Sequence, residues 1–150
     1  MDKKWILIIL GIIGVLYSGG SIIMGGLDAV VEKMATAIKN FEGWAVGSRS
    51  YRNNNPGNLK FAGQAGAVGQ DEQGHAIFSD YEAGWAALKR QIRLAFTGGS
   101  HVYTLADNLY DFFSKYAEGN SRQYAEYVAG QLGVDPFAAK LSDILKSYGG

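Results

Sequence analysis

From Trp5 to Leu27 the chain runs for 23 residues without a charged side chain. At about 1.5 Å of rise per helical residue, such a run crosses the ~30 Å hydrocarbon core of a bilayer. Trp5 to Tyr17 is its more apolar part, and Ser18 to Leu27 is rich in glycine. Lys3 and Lys4 precede it, and basic flanks stay on the cytoplasmic side. The run predicts a transmembrane anchor over residues 1–27, followed by a domain over residues 28–150 on the non-cytoplasmic side. Two alternatives remain open. Lys3-Lys4, the apolar run and the small residues Ser18, Gly19 and Gly20 also have the form of a cleavable signal, which would give a secreted chain. The third reading is a buried helix of a soluble protein.

Composition closes off several chemistries. Lysine plus arginine and aspartate plus glutamate both number 14, so the formal net charge is zero, and a nucleic-acid partner is not expected. There is no cysteine, which excludes disulfides, zinc-thiolate sites and a thiol nucleophile. Only His75 and His101 are histidines, too few for a His-rich metal site, and neither a metal nor a cofactor is expected. Both are expected at the surface. Ser48, Ser50 and Ser79 have no nucleophile-elbow context.

Past Leu27 the apolar period becomes helical. Leu27, Val30, Val31, Met34, Ile38 and Phe41 share one face, and Gly43 reads as the residue that ends the helix. Residues 44–58 carry turn chemistry. Leu59-Lys60-Phe61 and Ala76-Ile77-Phe78 are strand candidates around a glycine-rich stretch. Further helices are expected after Ser79-Asp80, after Thr104, after Asn120 or Ser121, and from Asp135-Pro136 onward. The scheme is α+β and mostly helical: a helix, an Asn-rich loop, a small β-hairpin, then four helices.

Glu42 continues the buried stripe of its helix, four residues after Ile38, where a carboxylate is out of place for packing. It also meets the negative end of the helix dipole. Burial and dipole both raise a carboxyl pKa, and a raised pKa lets a carboxyl hold a proton for general acid catalysis. The plainer alternative is a half-exposed helix-end glutamate with no role. The run Arg52-Asn-Asn-Asn-Pro-Gly-Asn-Leu59 offers amides that match sugar hydroxyl and N-acetyl groups, or simply shape a loop.

Three segments in order, Ile38-Lys-Asn-Phe-Glu42-Gly43, Arg52 to Leu59, and Phe78-Ser-Asp-Tyr-Glu-Ala-Gly-Trp-Ala-Ala-Leu88, resemble phage and prophage muralytic proteins of the lysozyme-like superfamily, often described as virion-associated lytic transglycosylases. The resemblance spans about residues 28 to 145. It implies a lysozyme-like domain with a small hairpin subdomain beside a cleft. It implies Glu42 as the catalytic acid/base, Asn55 and Asn58 on the cleft floor, and Tyr116 or Tyr124 on the opposite wall, all binding substrate. The partners implied are peptidoglycan glycan strands, a lipid membrane reached through residues 5–27, and other virion proteins. The membrane is then that of a virion or a host cell. One departure bears on mechanism. Two-carboxylate phage lysozymes place an Asp about nine residues past the Glu, a position held here by Tyr51, and no acid lies between Glu42 and Asp71. A single-carboxylate transglycosylase is therefore the expected activity. A lysozyme-type hydrolase, a peptidoglycan endopeptidase and a non-catalytic wall-binding virion protein are the alternatives.

Overall fold

The computed structural model describes residues 25–149, and the fold is mostly helical with one two-stranded sheet. Helix α1 covers residues 25–41 and is followed by the four-residue α2 (Arg49–Arg52). Strands β1 (Ala67–Gln70) and β2 (Ala76–Phe78) come next. Then follow α3 (Tyr81–Thr97), α4 (Leu109–Tyr116), α5 (Ser121–Leu132) and α6 (Leu141–Gly149). The anchor expected up to residue 27 lies outside the described residues except for its last three. Those three belong to α1, and Leu27 is buried in the core. Among the described residues no helix is long and apolar enough to cross a membrane.

Helix α1 is the core helix. Val30, Val31, Met34, Ala35, Ala37 and Ile38 are all buried, a stripe wide enough to meet neighbours on two sides. Its outer face carries Asp28 and Glu32, which pair with Arg93 and Lys89 of α3. Leu88, Ile92, Ala95 and Phe96 of α3 face the core, and α4 packs on α5 through Phe113 and Tyr124, whose rings stack at 4.2 Å. Full burial of each large side chain contributes about 1.5–3 kcal/mol, so α1 and α3 supply much of the core, in which Ala76 and Phe78 of β2 are also buried.

Several elements fall elsewhere than the sequence predicts. The first strand is not Leu59-Lys60-Phe61. It lies inside the glycine-rich stretch at Ala67–Gln70, paired antiparallel with β2 through a bulge between Ala67 and Gly69. Lys60 makes only an isolated bridge with His75. Gly74, at φ +83°, turns the chain where Asp71 Oδ1 accepts from the N–H groups of Gln73 and His75. Asp80, rather than Ser79, caps α3. Thr104 to Asp107 closes a turn, and the capping box sits at Asn108 and Asp111, opening α4. Asp135-Pro136 does not start α6. Asp135 Oδ1 takes the N–H groups of Phe137 and Ala138 in a local turn, and Lys140 bridges to Asn108 before α6 begins at Leu141.

Candidate functional site

The end of α1, the Asn-rich loop and the start of α5 meet around one carboxyl group. Gly43 adopts φ +68°, a conformation that costs glycine little, and the chain leaves the helix there. Glu42 thus stands at the last turn, its N–H still bonded to Ile38 O at 2.9 Å, with its side chain half-buried. Tyr124, only 2% exposed, donates its phenol O–H to Glu42 Oε1 at 2.8 Å. Phe41 packs on the same tyrosine with ring centroids 4.0 Å apart, which fixes the ring.

Burial raises the Glu42 pKa. The hydrogen bond from Tyr124, the nearby Asn58 amide and the charge of Arg49 pull the other way, and the charge of Glu118 adds to the rise. Desolvation wins, so the carboxyl holds its proton above the ordinary carboxylate range. Tyr124 is in turn raised, first by its own burial and then by the neighbouring Tyr116 and Glu42. It stays a neutral O–H donor.

Asn58 reaches this point because its backbone is in the left-handed region, φ +50°, which asparagine tolerates better than most residues. Its Oδ1 is buried and has no hydrogen-bond partner among the described residues. A buried acceptor of this kind costs about 1–3 kcal/mol unless a donor meets it. Asn55 does not reach the cleft. It is fully buried, its Nδ2 donating to Leu59 O and Ala76 O and its Oδ1 accepting from Leu59 N–H, each at 2.9 Å. The expected substrate-binding asparagine is a brace between the loop and β2, with no polar atom left for a ligand. Tyr116 lines the cleft, but its phenol donates to Gly57 O at 2.5 Å, so it holds the loop as well.

Glu42, Asn58, Tyr116 and Tyr124 all border one open cleft of about 600 Å³. Amides line it further on, at Gln64, Gln91 and Asn120. A second hollow of similar volume shares Gln64, Gln91, Val102 and Tyr103 with the first, so the depression continues toward Arg90 and Leu94. Cations border the first hollow at Arg49, Lys60 and Lys115.

His75 was expected at the surface, and it is buried instead, at 2% exposure, in the wall of this cleft. Arg49 Nη1 lies 3.2 Å from both of its ring nitrogens, and Asp71 Oδ1 lies 3.4 Å from Nδ1. Burial, then the charges of Lys60 and Arg49, lower its pKa against the opposing pull of Asp71, so it is neutral at pH 7. Partial burial would by itself raise the Asp71 pKa, but the N–H groups of His75 and Gln73 and the Asn53 amide outweigh it and hold the carboxyl well below the usual range. Asp71 therefore closes the hairpin turn as a fixed anion. Arg49, Lys60, His75 and Glu118 carried no sequence signal, because their approach depends on how the hairpin docks. Among the described residues no cluster of side chains is suited to a metal ion. No protein-family model, curated protein or solved structure matches the chain.

Proposed function

We propose that this chain cleaves peptidoglycan glycan strands at the β-1,4 bond between N-acetylmuramic acid and N-acetylglucosamine, as a lytic transglycosylase built on a lysozyme-like domain. The observation that carries the reading is Glu42: a carboxyl whose pKa is raised by burial, hydrogen-bonded by Tyr124 at the edge of an open cleft. Glu42 gives its proton to the glycosidic oxygen, and the bond from that oxygen to the anomeric carbon breaks with the electron pair going to oxygen. The sugar's own 6-hydroxyl then attacks the anomeric carbon, and its proton passes to the Glu42 carboxylate. A 1,6-anhydro end results and Glu42 is restored, so one carboxyl serves as both acid and base.

Three further features support this substrate. The cleft runs into a second hollow, which suits a polymer better than a small molecule. Amide side chains line it, offering both donors and acceptors to hydroxyl and acetamido groups. Asn58, which borders the cleft beside the acid, adds a further amide next to Glu42. The cellular setting proposed is a virion or cytoplasmic membrane, held through the part of the uncharged run that precedes α1, residues 5–24. Resistance to alkaline carbonate extraction supports that placement, and a freely soluble mature chain lacking these residues overturns it.

The test is digestion of purified peptidoglycan, with the products weighed. Wild type is expected to release 1,6-anhydro muropeptides. Glu42→Gln is expected to lose about 10² to 10⁴ in rate while folding at least as stably as wild type at neutral pH, because Gln carries no charge to desolvate. Reducing ends alone would make the protein a hydrolase, and cut peptides an endopeptidase. Binding without cleavage would make it a wall-binding protein. A folded Gln variant above a tenth of wild-type rate removes Glu42 from the mechanism.

A further inference from the structure

A second acidic side chain lines the same cleft. Glu118 stands in the loop between α4 and α5, flanked by Ala117 and Gly119, which border the cleft with it. Lys60 Nζ approaches Glu118 Oε1 to 2.6 Å, and His75 Nε2 lies 3.8 Å from Oε2. Lys60 and His75 face each other across an antiparallel bridge, so Glu118 is met from the hairpin side. Lys60 also donates to Gln73 O at 2.8 Å, which fixes its ammonium from the other direction. Glu118 stays 67% exposed. Exposed ion pairs contribute little to stability, and α5 needs nothing from this one, since Tyr124, Val128 and Leu132 already bury its inner face. A carboxylate held open to the cleft by a fixed lysine is better explained by what enters the cleft.

We propose that Glu118 is the second carboxylate of the reaction, standing beside the sugar ring as Glu42 protonates the leaving oxygen. The proposal rests on the glycan-cleaving reading above. The hydrogen bond from Lys60, and then its charge, keep Glu118 below the ordinary carboxylate range, while burial holds Glu42 above it. Two carboxyl groups pushed apart in this way divide into an acid and a permanent anion. As the bond to the leaving oxygen breaks, positive charge builds on the anomeric carbon and ring oxygen, and the Glu118 carboxylate stabilises it. Glu118 forms no bond and takes no proton. The proton from the 6-hydroxyl still goes to Glu42, so the product class does not depend on Glu118.

The experiment compares the pH dependence of kcat and KM for wild type, Glu118→Gln, Glu118→Asp and Lys60→Met on peptidoglycan glycan strands. Glu118→Gln is expected to lose about 10²-fold in kcat, the scale of one lost electrostatic contact to a transition state. KM should hold within about threefold and the products should be unchanged. The high-pH limb of activity reports loss of the Glu42 proton. Removing the Glu118 charge lowers the Glu42 pKa, so that limb should move to lower pH. Glu118→Asp should leave the limb in place, and Lys60→Met should not lower it. Glu118→Gln at wild-type kcat, in an enzyme that Glu42→Gln silences, overturns this proposal alone. So does a Glu118→Gln variant whose loss lies wholly in KM, which would reduce Glu118 to a binding contact. A wild-type chain that cuts no glycan overturns both readings.

Discussion

Gly84→Ala is a small change in an α-helix interior, where alanine is ordinarily favoured by about 1 kcal/mol. The structure reverses that sign. A Cβ on Gly84 would lie 1.8 Å from Asn54 O and 3.0 Å from both Asn54 C and Pro56 Cδ. The tightest of these atoms is backbone, so no rotamer change relieves it. The loop or α3 must move by more than an ångström to reach ordinary contact. Asn54 is itself pinned, with φ +50° and its Nδ2 donating to Phe78 O at 3.1 Å. Overpacking of this kind costs about 1–3 kcal/mol. A backbone clash belongs at the upper end, so the net loss after helix propensity is about 1–2 kcal/mol. In a domain of this size that is a fall of roughly 3–10 °C in Tm, followed by circular dichroism. Because the displaced loop also carries Asn58, glycan cleavage should fall by more than the unfolded fraction explains. A Gly84→Ala variant as stable as wild type would refute the argument that α3 and the Asn-rich loop meet backbone to backbone.

Asn55→Ala leaves the N–H of Leu59 and a bond to each of two buried carbonyls unmet. It should cost about 1–3 kcal/mol, the range for one orphaned buried group, the Leu59 N–H, seen as a lower denaturant midpoint, and a loss below 1 kcal/mol would mean that Asn55 is no brace. Tyr124→Phe removes the hydrogen bond that lowers the Glu42 pKa, so the pKa rises further and the high-pH limb of activity should move upward. The sign for stability follows from the same shift. The folded Glu42 pKa lies above the unfolded one, so its contribution is fully present below the ordinary carboxylate range and is lost as pH rises through the folded value, more steeply in Tyr124→Phe. A limb that moves down, measured from pH 4 to 9, would refute the assignment.

The sequence makes the helical elements legible wherever the apolar period is long. Leu27 to Ile38, Leu88 to Phe96 and Tyr124 to Leu132 all bury the residues that their spacing predicts. It fails where a segment is defined by partners rather than by period. Ala67–Gln70 has no apolar alternation of its own and becomes a strand because β2 and the Asp71–Gly74 turn bring it into register. Asp135-Pro136 has every local mark of a helix start, but the bridge from Lys140 to Asn108 delays the helix until Leu141. At the site, the spacing that places Glu42 on a buried stripe is visible without tertiary knowledge. The asparagines are not separable that way. Asn55 and Asn58 have the same chemistry three residues apart, and only the docking of β2 decides that one is consumed by backbone and the other faces the acid.

That division explains how a strained carboxyl is tolerated. Glu42 carries a desolvation cost that the fold would lower with an apolar residue, and it sits where α1 hands the chain to a loop built almost wholly on polar side chains. The loop is stable because each amide has a separate duty. Asn53 holds Asp71, Asn54 holds β2 through Phe78 O, and Asn55 holds Leu59 and Ala76. With those bonds made internally, Asn58 is free to leave its carbonyl oxygen unmet beside the acid. Tyr124 closes the other side from α5, where Phe41 and Phe113 fix its ring at 4.0 and 4.2 Å. The acid therefore lies between the Tyr124 phenol and the Asn58 amide. If the cleft bound nothing, an apolar residue at 42 would serve the fold better. A carboxyl whose pKa is raised by burial, set between the Tyr124 phenol and the unmet Asn58 carbonyl, is the arrangement on which the acid role proposed for Glu42 rests.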